Sequence, residues 1–453
     1  MRRVVKVSRI RIIITIIVVV LTTLLTGCTG KEPNEIAYVV ALGIDSTDDD
    51  NYKITIQYAN TTQISGGASE SGGKAGSEIV DNVTIEAPNI YAGVGLANNI
   101  VSKSFSMSHA KLIVFSKEIA EKGVKDMIET LVRSEEIRPD VFIAVANTTA
   151  NDYLTSVNPE MEVNPAQYYQ LIYQKNQLVG IPDGQLREFF TGLYTDNYDS
   201  ILPVAGVIEG AGGNSQNDDK GQSKDSQNEG SEGSSESLDS FESKSSNENE
   251  KEKDAEKNTS KYEYDIKNYV GGETTIEKKN KAEAIGAAVF EKDKMVGELG
   301  EVETEICKIL KGDYTYSYLT YYNNDTPDIP ITVKTTQQKK PKYKIDTDKK
   351  TVDIELYIES DLYSLPADYN VENKIEDFER NVANYTSSTC TEFINNFTKK
   401  YNSDILKLNE KVKYKFLTNN QYNWFKKNVG WSEYKFSVCT NFKVRRTGLI
   451  VRE

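Results

Sequence analysis

The fold is decided first in a nearly continuous apolar run, residues 36–43, IAYVVALG. An apolar run of this length is typical of a buried strand. A polar turn at 45–51 and an alternating stretch at 52–60 follow it, so the pattern predicts a hairpin. Apolar strand segments then alternate with helical segments as far as residue 208. This order favours a mixed α/β domain at 36–208 that is built around a sheet.

The C-terminal region has a different pattern. Residues 352–358 alternate between apolar and polar side chains, as in a strand with one buried face. From 375 to 405 apolar residues recur mostly at steps of three and four, which predicts a long helix. A second alternating stretch at 434–444 predicts a final strand. We therefore expect a domain at 336–453 in which a long helix packs on one face of a small sheet.

Two segments separate these regions. Residues 209–262 consist mainly of Ser, Asn, Gly and Glu, a composition that predicts a disordered acidic insert. Residues 263–335 contain a predicted hairpin and a short helix, and we assign them to a small middle domain. A Gly/Ser-rich stretch at 65–78 predicts a loop inside the first domain. The predicted fold class is thus mixed α/β (α+β), with three domains that each contain a mixed sheet and packed helices.

The N-terminus has the layout of a bacterial export signal. Five basic residues precede an uncharged apolar run at 12–25, and small residues then lead to a cysteine, which predicts a signal peptide at 1–27. The apolar run is shorter than the roughly 20 residues of a spanning helix, although an uncleaved anchor helix is the alternative. The sequence Leu25-Thr26-Gly27-Cys28 resembles the lipobox of bacterial lipoproteins. This resemblance implies lipid attachment at Cys28 and a lipidated tether at 28–35, which place the rest of the chain outside the cytoplasm.

The charge of the chain restricts its partners. The formal net charge is −14, and it becomes more negative once the basic signal peptide is removed. Proteins that bind nucleic acid need clustered Lys and Arg, so we expect no nucleic-acid partner. The same charge argues against a chain that lies flat on anionic lipid.

The motifs of known enzymes are missing from the sequence. There is one histidine, His109, and no phosphate-binding loop, His-Glu-x-x-His zinc motif or Gly-x-Ser-x-Gly nucleophile elbow. A glycosidase-like pair of carboxylates stays open as an alternative, since no two of the many carboxylates stand out. We expect no catalytic, cofactor or metal site and a structural role for His109. The charged stretch 133–138 is interpreted as a solvated helix end with local ion pairs.

Two questions about side chains stay open in the sequence. After Cys28 only Cys307, Cys390 and Cys439 remain, an odd number without a Cys-x-x-Cys pair. A Cys390–Cys439 disulfide is one interpretation, and three half-buried thiols are the favoured one. A tyrosine-rich stretch forms either a contact surface or part of the core; it contains Tyr168, Tyr169 and Tyr173.

Several motifs, taken in their order along the chain, resemble the Ger(x)C family, the C subunits of bacterial spore germinant receptors. The matching stretches are 39–45 (VVALGID), 108–115 (SHAKLIVF), 120–123 (AEKG), 133–138 (RSEEIR), 285–290 (IGAAVF), 295–299 (MVGEL) and 446–448 (RTG). The resemblance implies a non-enzymatic α/β lipoprotein of three domains on the outer face of the spore inner membrane. It also implies assembly or signal relay with two integral membrane subunits, the A and B types, in a complex that nutrients trigger.

Two other functions compete with this interpretation. An extracytoplasmic solute-binding lipoprotein would capture a ligand between two lobes, but such proteins usually show two similar doubly wound halves and this sequence has no internal repeat. A cell-wall hydrolase would need a carboxylate pair that the sequence does not single out. The Ger(x)C interpretation is therefore the leading one.

Overall fold

We describe the protein from a computed structural model. The described residues are 13–18, 35–49, 51–59, 80–158, 162, 164–174, 180–195, 197–208, 268–274, 280–322, 330–364, 374–401 and 403–447. Cys28, the predicted loop at 65–78 and the predicted insert at 209–262 lie outside these residues. None of the helices in the described ranges has the length and apolar character needed to span a bilayer.

A large mixed sheet occupies the first two thirds of the chain. Its strands are β1 Ile36–Ser46, β2 Tyr52–Ala59, β3 Val80–Ala87, β4 Ser104–Ser106, β5 Leu112–Ser116, β6 Phe142–Ala146, β7 Ile201–Val207, β8 Ala282–Glu291 and β9 Lys294–Leu299. The strand order is β3-β2-β1-β5-β6-β7-β8-β9, and β4 pairs with β1. The central strands β1, β5, β6 and β7 are parallel, whereas the flanking pairs are antiparallel.

Helices cover both faces of this sheet. They are α1 Ile90–Ala97, α2 Lys117–Lys122, α3 Lys125–Val132, α4 Ala150–Ser156, α5 Pro165–Gln174 and α6 Leu186–Thr195. The apolar run of β1 supplies both cores, since Val39 and Leu42 belong to one and Val40 and Ala41 to the other. A register shift between Val39 and Ala41 turns two consecutive side chains to the same face. The sequence prediction of a buried strand is therefore confirmed, and the structure shows that both of its faces are covered.

The smaller sheet lies in the C-terminal third. Its strands are β10 Tyr316–Tyr322, β11 Pro330–Thr336, β12 Lys342–Asp346, β13 Thr351–Ser364 and β14 Lys435–Arg446, in the order β10-β11-β13-β12 with β14 beside β13. The helices are α7 Glu301–Lys311, α8 Ile375–Lys400, α9 Leu408–Val412 and α10 Asn419–Asn428. Helix α8 packs on the β13–β14 face and buries Phe378, Val382 and Ile394. The predicted long helix on the C-terminal sheet is confirmed.

The arrangement differs from the prediction in two respects. The described strands form two sheets, so residues 263–335 have no sheet of their own: β8 and β9 extend the large sheet, and β10 and β11 extend the small one. The predicted helix at 375–405 ends at Lys400, and Ile405 is buried beyond its end. Ala287, Val289 and Leu299 of the large sheet belong to the same core as the small sheet. The predicted domain boundaries themselves stay a prediction.

A polar joint between the two sheets

The segment after α8 connects the two sheets through a buried aspartate. Asp404 is 5% exposed, and its carboxylate accepts hydrogen bonds from the backbone N–H groups of Leu408 and Asn409, both at 2.8 Å. Burial raises the pKa of Asp404 to about 7, although the two backbone hydrogen bonds oppose the rise. Ionisation of the Asp404 carboxyl group therefore destabilises the folded state relative to its protonated form.

A second aspartate approaches from the large sheet. Asp199 lies just before β7, and its two carboxylate oxygens accept from the backbone N–H groups of Lys292, at 2.9 Å, and Asp404, at 2.8 Å. The backbone N–H of Asp199 in turn donates to the carbonyl oxygen of Asp404 at 3.2 Å. The Ser403 hydroxyl donates to the carbonyl oxygen of Phe290 at 3.0 Å. Three of these hydrogen bonds thus join the loop before β7 and the β8–β9 hairpin to the segment that leads from α8 to α9, and the bond from Lys292 joins the loop to the hairpin.

An ion pair borders the two aspartates. The ammonium group of Lys407 lies 3.0 Å from the Glu188 carboxylate and 4.1 Å from the centre of the Tyr198 ring. Burial opposes ionisation of Glu188, but the hydrogen bond from Lys407 prevails and holds the pKa of Glu188 below its usual range. Lys407 adopts a positive φ of 57°, which aims its side chain from the C-terminal segment toward α6.

A cavity of about 560 Å³ opens beside this joint. Its lining includes both aspartates and Lys426, whose ammonium group donates to the carbonyl oxygen of Thr195 at 2.8 Å and to Oδ1 of Asn197 at 3.0 Å. We call Asp199, Asp404, Lys407, Glu188 and Lys426 the polar joint. Its hydrogen bonds connect the two sheets, and burial raises the pKa of one member, Asp404, to about 7. Among the residues that the structure describes, no three His, Cys, Asp or Glu side chains are grouped to hold a metal.

A second cavity, of about 270 Å³, lies between α7, α8 and the small sheet. Its walls are largely apolar, and Glu305 lines it. The hydroxyl groups of Ser317 and Tyr314 hydrogen-bond this carboxyl, while burial raises the pKa of Glu305 to about 7. The cavity therefore combines an apolar surface with the carboxyl groups of Glu301 and Glu305, and that of Glu305 is protonated in part of the molecules at neutral pH.

The side chains that the sequence singled out lie elsewhere. His109 is exposed, lies 3.0 Å from the Ser108 hydroxyl and packs edge-to-face on Tyr38. In the 133–138 stretch Arg138 pairs with Asp140 at 3.2 Å, in keeping with the expected local ion pairs. Lipid attachment at Cys28 stays a prediction, because this residue lies outside the described ranges.

The tyrosine cluster belongs to the core. Tyr168, Tyr169 and Tyr173 are at most 6% exposed, so the contact-surface interpretation is wrong and the core interpretation is confirmed. Their hydroxyl groups form hydrogen bonds; for example, that of Tyr169 donates to Oε1 of Gln57 at 2.5 Å. Helix α5 packs these rings against the large sheet, which is why a tyrosine-rich face is compatible with burial.

The three cysteines are free thiols. Cys307 and Cys390 are buried, and Cys439 is exposed. A Cys390–Cys439 disulfide is absent because α8 covers the inner face of β14, whereas Cys439 alternates onto the outer face. The favoured interpretation of free thiols is thus confirmed, although their burial is not the half-burial that we expected.

Sequence reasoning missed the polar joint. Asp199, Asp404 and Lys407 are ordinary loop residues in the sequence, and no spacing rule singles them out. Their partners are remote in the chain: Asp199 and Asp404 are 205 residues apart, and Glu188 and Lys407 are 219 apart. The apolar steps of three and four residues continue through Tyr401 to Ile405, so the sequence contains no signal for this joint.

Comparisons with known proteins place this architecture in a family. Residues 30–207 match the model of the spore germination protein N-terminal domain, and residues 285–448 match that of the spore germination B3/GerAC-like C-terminal domain. Together these stretches cover most of the chain. The chain therefore belongs to the Ger(x)C family of spore germination proteins, whose members are C subunits of germinant receptors. This is not a known family of enzymes.

The individual proteins that the chain resembles share only about a quarter of its residues over the matched stretches. The chain is 26% identical to the spore germination protein KC of Bacillus subtilis over 35% of this chain and 42% of that protein. It is also 26% identical to the spore germination protein B3 of Bacillus subtilis, over 30% of this chain and 36% of that protein. The matched stretch thus spans less than half the length of these relatives. The crystal structure of the GerBC protein shows 15% identity and a TM-score of 0.48 over 89% of this chain and 96% of that one.

Proposed function

We propose that this chain is a non-enzymatic, lipid-anchored C subunit of a nutrient germinant receptor. It acts by assembly and signal relay with integral membrane subunits of the A and B types. The observation that carries the proposal is the pair of family matches at 30–207 and 285–448, in the family's order, on one chain. The shared core between the matched stretches supports a protein that works as one unit.

The anchor fixes where the subunit works. Acylation of Cys28 with two or more chains gives stable attachment, since each buried methylene contributes about 0.8 kcal/mol. The tether at 28–35 then holds the large sheet near the extracytoplasmic face of the spore inner membrane. This raises the effective concentration of the subunit toward membrane partners without any new contact.

The polar joint supports the relay. Packed and hydrogen-bonded elements move as units between discrete arrangements. The backbone N–H of Asp404 donates to the Asp199 carboxylate, and the backbone N–H of Asp199 donates to the Asp404 carbonyl oxygen. Because these bonds cross the joint, a displacement of the small sheet is transferred to β7 and the β8–β9 hairpin. A partner that presses on one sheet thus changes the surface that the other sheet presents.

Affinity capture tests the assembly. The tagged chain is recovered from detergent-solubilised spore membranes, and its companions are identified by mass spectrometry. We expect polytopic A- and B-type subunits in the recovered material. Recovery of the chain alone, from membranes in which those subunits are detected, would contradict the proposal.

A pair of variants tests the relay. Lys407→Gln removes the ion pair with Glu188, so we expect unchanged capture of partners and slower nutrient germination. Lys399→Gln, at an exposed position near the end of α8, is the matched control and leaves germination unchanged. Equal germination rates for both variants would show that the joint does not couple the sheets.

The solute-binding alternative has one observation in its favour, the cavity at Glu305. A ligand in this cavity would raise the melting temperature of the chain, and Glu305→Gln would reduce that rise. Melting curves with a panel of amino acids and sugars test this function. If no compound changes the melting temperature, the solute-binding alternative is contradicted and the receptor-subunit proposal is kept.

A further inference from the structure

One segment of this acidic protein is basic. Residues 411–430 contain five lysines and neither aspartate nor glutamate, whereas the whole chain has a formal net charge of −14. The segment runs from the last two residues of α9 through a short 3₁₀ turn at Lys413–Lys415 and α10 to Gly430. Its charge is thus opposite in sign to the net charge of the whole chain, so it attracts anions locally.

The same segment exposes large apolar side chains. Leu417 is 95% exposed, Tyr414 78% and Trp424 69%. The neighbouring Phe416 and Phe425 pack together with ring centres 4.9 Å apart and lie against the buried core, so the exposed side chains are not needed to fill it. Clustered exposed apolar residues mark an interaction surface.

We call Lys413, Tyr414, Leu417, Trp424 and Lys427 the lysine–aromatic patch. Both lysines are exposed. Tryptophan and tyrosine prefer the headgroup level of a bilayer, where one part of the ring is apolar and the other is wet. Lysines beside them are attracted to anionic lipid. The composition of the patch therefore fits a bilayer surface with anionic headgroups.

The topology places the patch near the tether. Strands β1, β5, β6 and β7 are parallel, so they begin at one edge of the large sheet. The tether enters at Ile36, the start of β1. Lys426, next to the patch, bonds to Thr195 and Asn197, which precede β7. The patch thus lies toward the edge at which the tether arrives, and the tether at 28–35 reaches at most about 28 Å.

We propose that the lysine–aromatic patch docks on the anionic phospholipid surface of the membrane that holds the chain. Leu417 and Trp424 enter the headgroup region, and Lys413 and Lys427 contact lipid phosphates. Docking at this second point orients the small sheet relative to the bilayer, which a single point of attachment does not. The orientation rests on the proposed anchor at Cys28, but lipid binding by the patch does not.

The two tryptophans of the chain make a direct test. Trp424 is in the patch, whereas Trp431 is 5% exposed and hydrogen-bonds Oδ1 of Asn409. The full chain is reconstituted in vesicles of phosphatidylcholine, or of equal parts phosphatidylcholine and phosphatidylglycerol, that carry brominated acyl chains. We expect quenching of tryptophan fluorescence by about half in the anionic vesicles and much less in the neutral ones.

Tryptophan variants assign the quenching. Trp424→Phe leaves only the buried Trp431 and is expected to abolish it, while Trp431→Phe is expected to keep it. If Trp431→Phe fails to fold, the difference between the unchanged chain and Trp424→Phe gives the same information. Quenching that survives Trp424→Phe in full would overturn the proposal.

Charge variants test the role of the lysines. The double change Lys413→Glu and Lys427→Glu is expected to lower binding to anionic vesicles by about tenfold or more. The same change at Lys339 and Lys340, in the exposed turn between β11 and β12, is the control of equal charge. An equal loss in both pairs would mean that net charge alone matters, and would overturn the patch as a site.

Two outcomes separate this proposal from the proposed function. If the chain floats with the vesicles through its lipid but shows no quenching, the patch is overturned and the anchor stands. If the chain carries no lipid but its Trp424 is quenched in anionic vesicles, the patch stands and the anchor fails. A photo-crosslinker at position 424 that captures a polytopic protein in spore membranes, without quenching, would assign the patch to a protein partner and overturn the proposal.

Discussion

At the scale of single residues, Asp45 explains part of the opening motif. Its carboxylate is 4% exposed and accepts from the backbone N–H groups of Ala150, at 2.6 Å, and Asn151, at 3.0 Å. It thereby satisfies free N–H groups in the first turn of α4. Gly43, two residues earlier, lets that helix approach, because a Cβ there would lie 3.0 Å from Leu154 Cδ1. The pattern showed a buried strand, but the partner of Asp45 is more than 100 residues away.

Replacing Asp45 tests this role. Asp45→Ala leaves two partly or fully buried N–H groups without an acceptor, so we expect a loss of about 2–4 kcal/mol in the free energy of unfolding. Asp45→Asn keeps one acceptor and is expected to cost less. Urea denaturation measures both changes, with Asp48→Asn in the exposed turn as a control that changes stability little. A stable Asp45→Ala protein would show that α4 does not depend on this cap.

Asp404 makes stability depend on pH. Its pKa is raised from 3.8 to about 7, mainly by burial, so the folded state holds this proton more tightly than the unfolded chain. The free energy of unfolding therefore falls as pH rises from about 4 to about 7 and is constant above that range. Asp404→Asn is expected to flatten this slope without abolishing it, because burial also raises the pKa of Glu305 to about 7. Denaturation curves at several pH values measure the slope, and an identical slope in the variant would contradict the assignment.

At the scale of elements, α8 does more than pack on the small sheet. In the described part of the chain β14 pairs only with β13, which leaves one edge open. Polar side chains of α8 fill that edge: Asn395 Oδ1, Thr391 Oγ1 and Ser387 Oγ accept from the backbone N–H groups of Phe436, Val438 and Thr440 at 3.1, 3.0 and 2.9 Å. The helix thus protects the edge from pairing with another chain.

This edge contact shows how far the sequence predicts an element. The spacing of apolar residues predicted the helix and its buried face, because that pattern is local. The four-residue spacing of Ser387, Thr391 and Asn395 looks like an ordinary solvated stripe in the sequence. Its partners lie 41 to 53 residues away, and only the packed structure shows that the stripe meets a strand edge.

Asn395 offers a test of the edge contact. Its side chain also donates to the carbonyl oxygen of Phe436 at 3.0 Å, so Asn395→Ala removes both bonds. We expect a loss of about 2–3 kcal/mol in the free energy of unfolding and a greater tendency to aggregate. Asn396→Ala, at the exposed neighbouring position, is the control. Equal stability of the two variants, measured by urea denaturation, would show that the edge needs no cover.

At the scale of the whole molecule, the sequence predicted three domains that each contain a sheet, whereas the described strands form two sheets. Residues 282–299 form a hairpin by local pattern, yet β8 pairs with β7, across the predicted insert at 209–262. Such long-range pairing leaves no mark in local periodicity. For the same reason the sequence could not predict the polar joint, whose members come from both sides of that insert.

Replacing Cys28 tests whether lipid attachment determines the location of the chain without affecting its fold. Cys28 precedes every described strand, so Cys28→Ala is expected to leave the melting temperature unchanged. Without acyl chains the protein should move from the spore membrane fraction to the soluble fraction. Because its effective concentration at the membrane then falls, nutrient germination should be lost or slowed at least about tenfold. Cys439→Ala, which removes an exposed free thiol, is the matched control and should change neither. Full germination by the Cys28→Ala strain would contradict the anchor. If part of the Cys28→Ala protein stays in the membrane fraction, and an added Trp424→Ala change releases it, then the lysine–aromatic patch holds the chain as well.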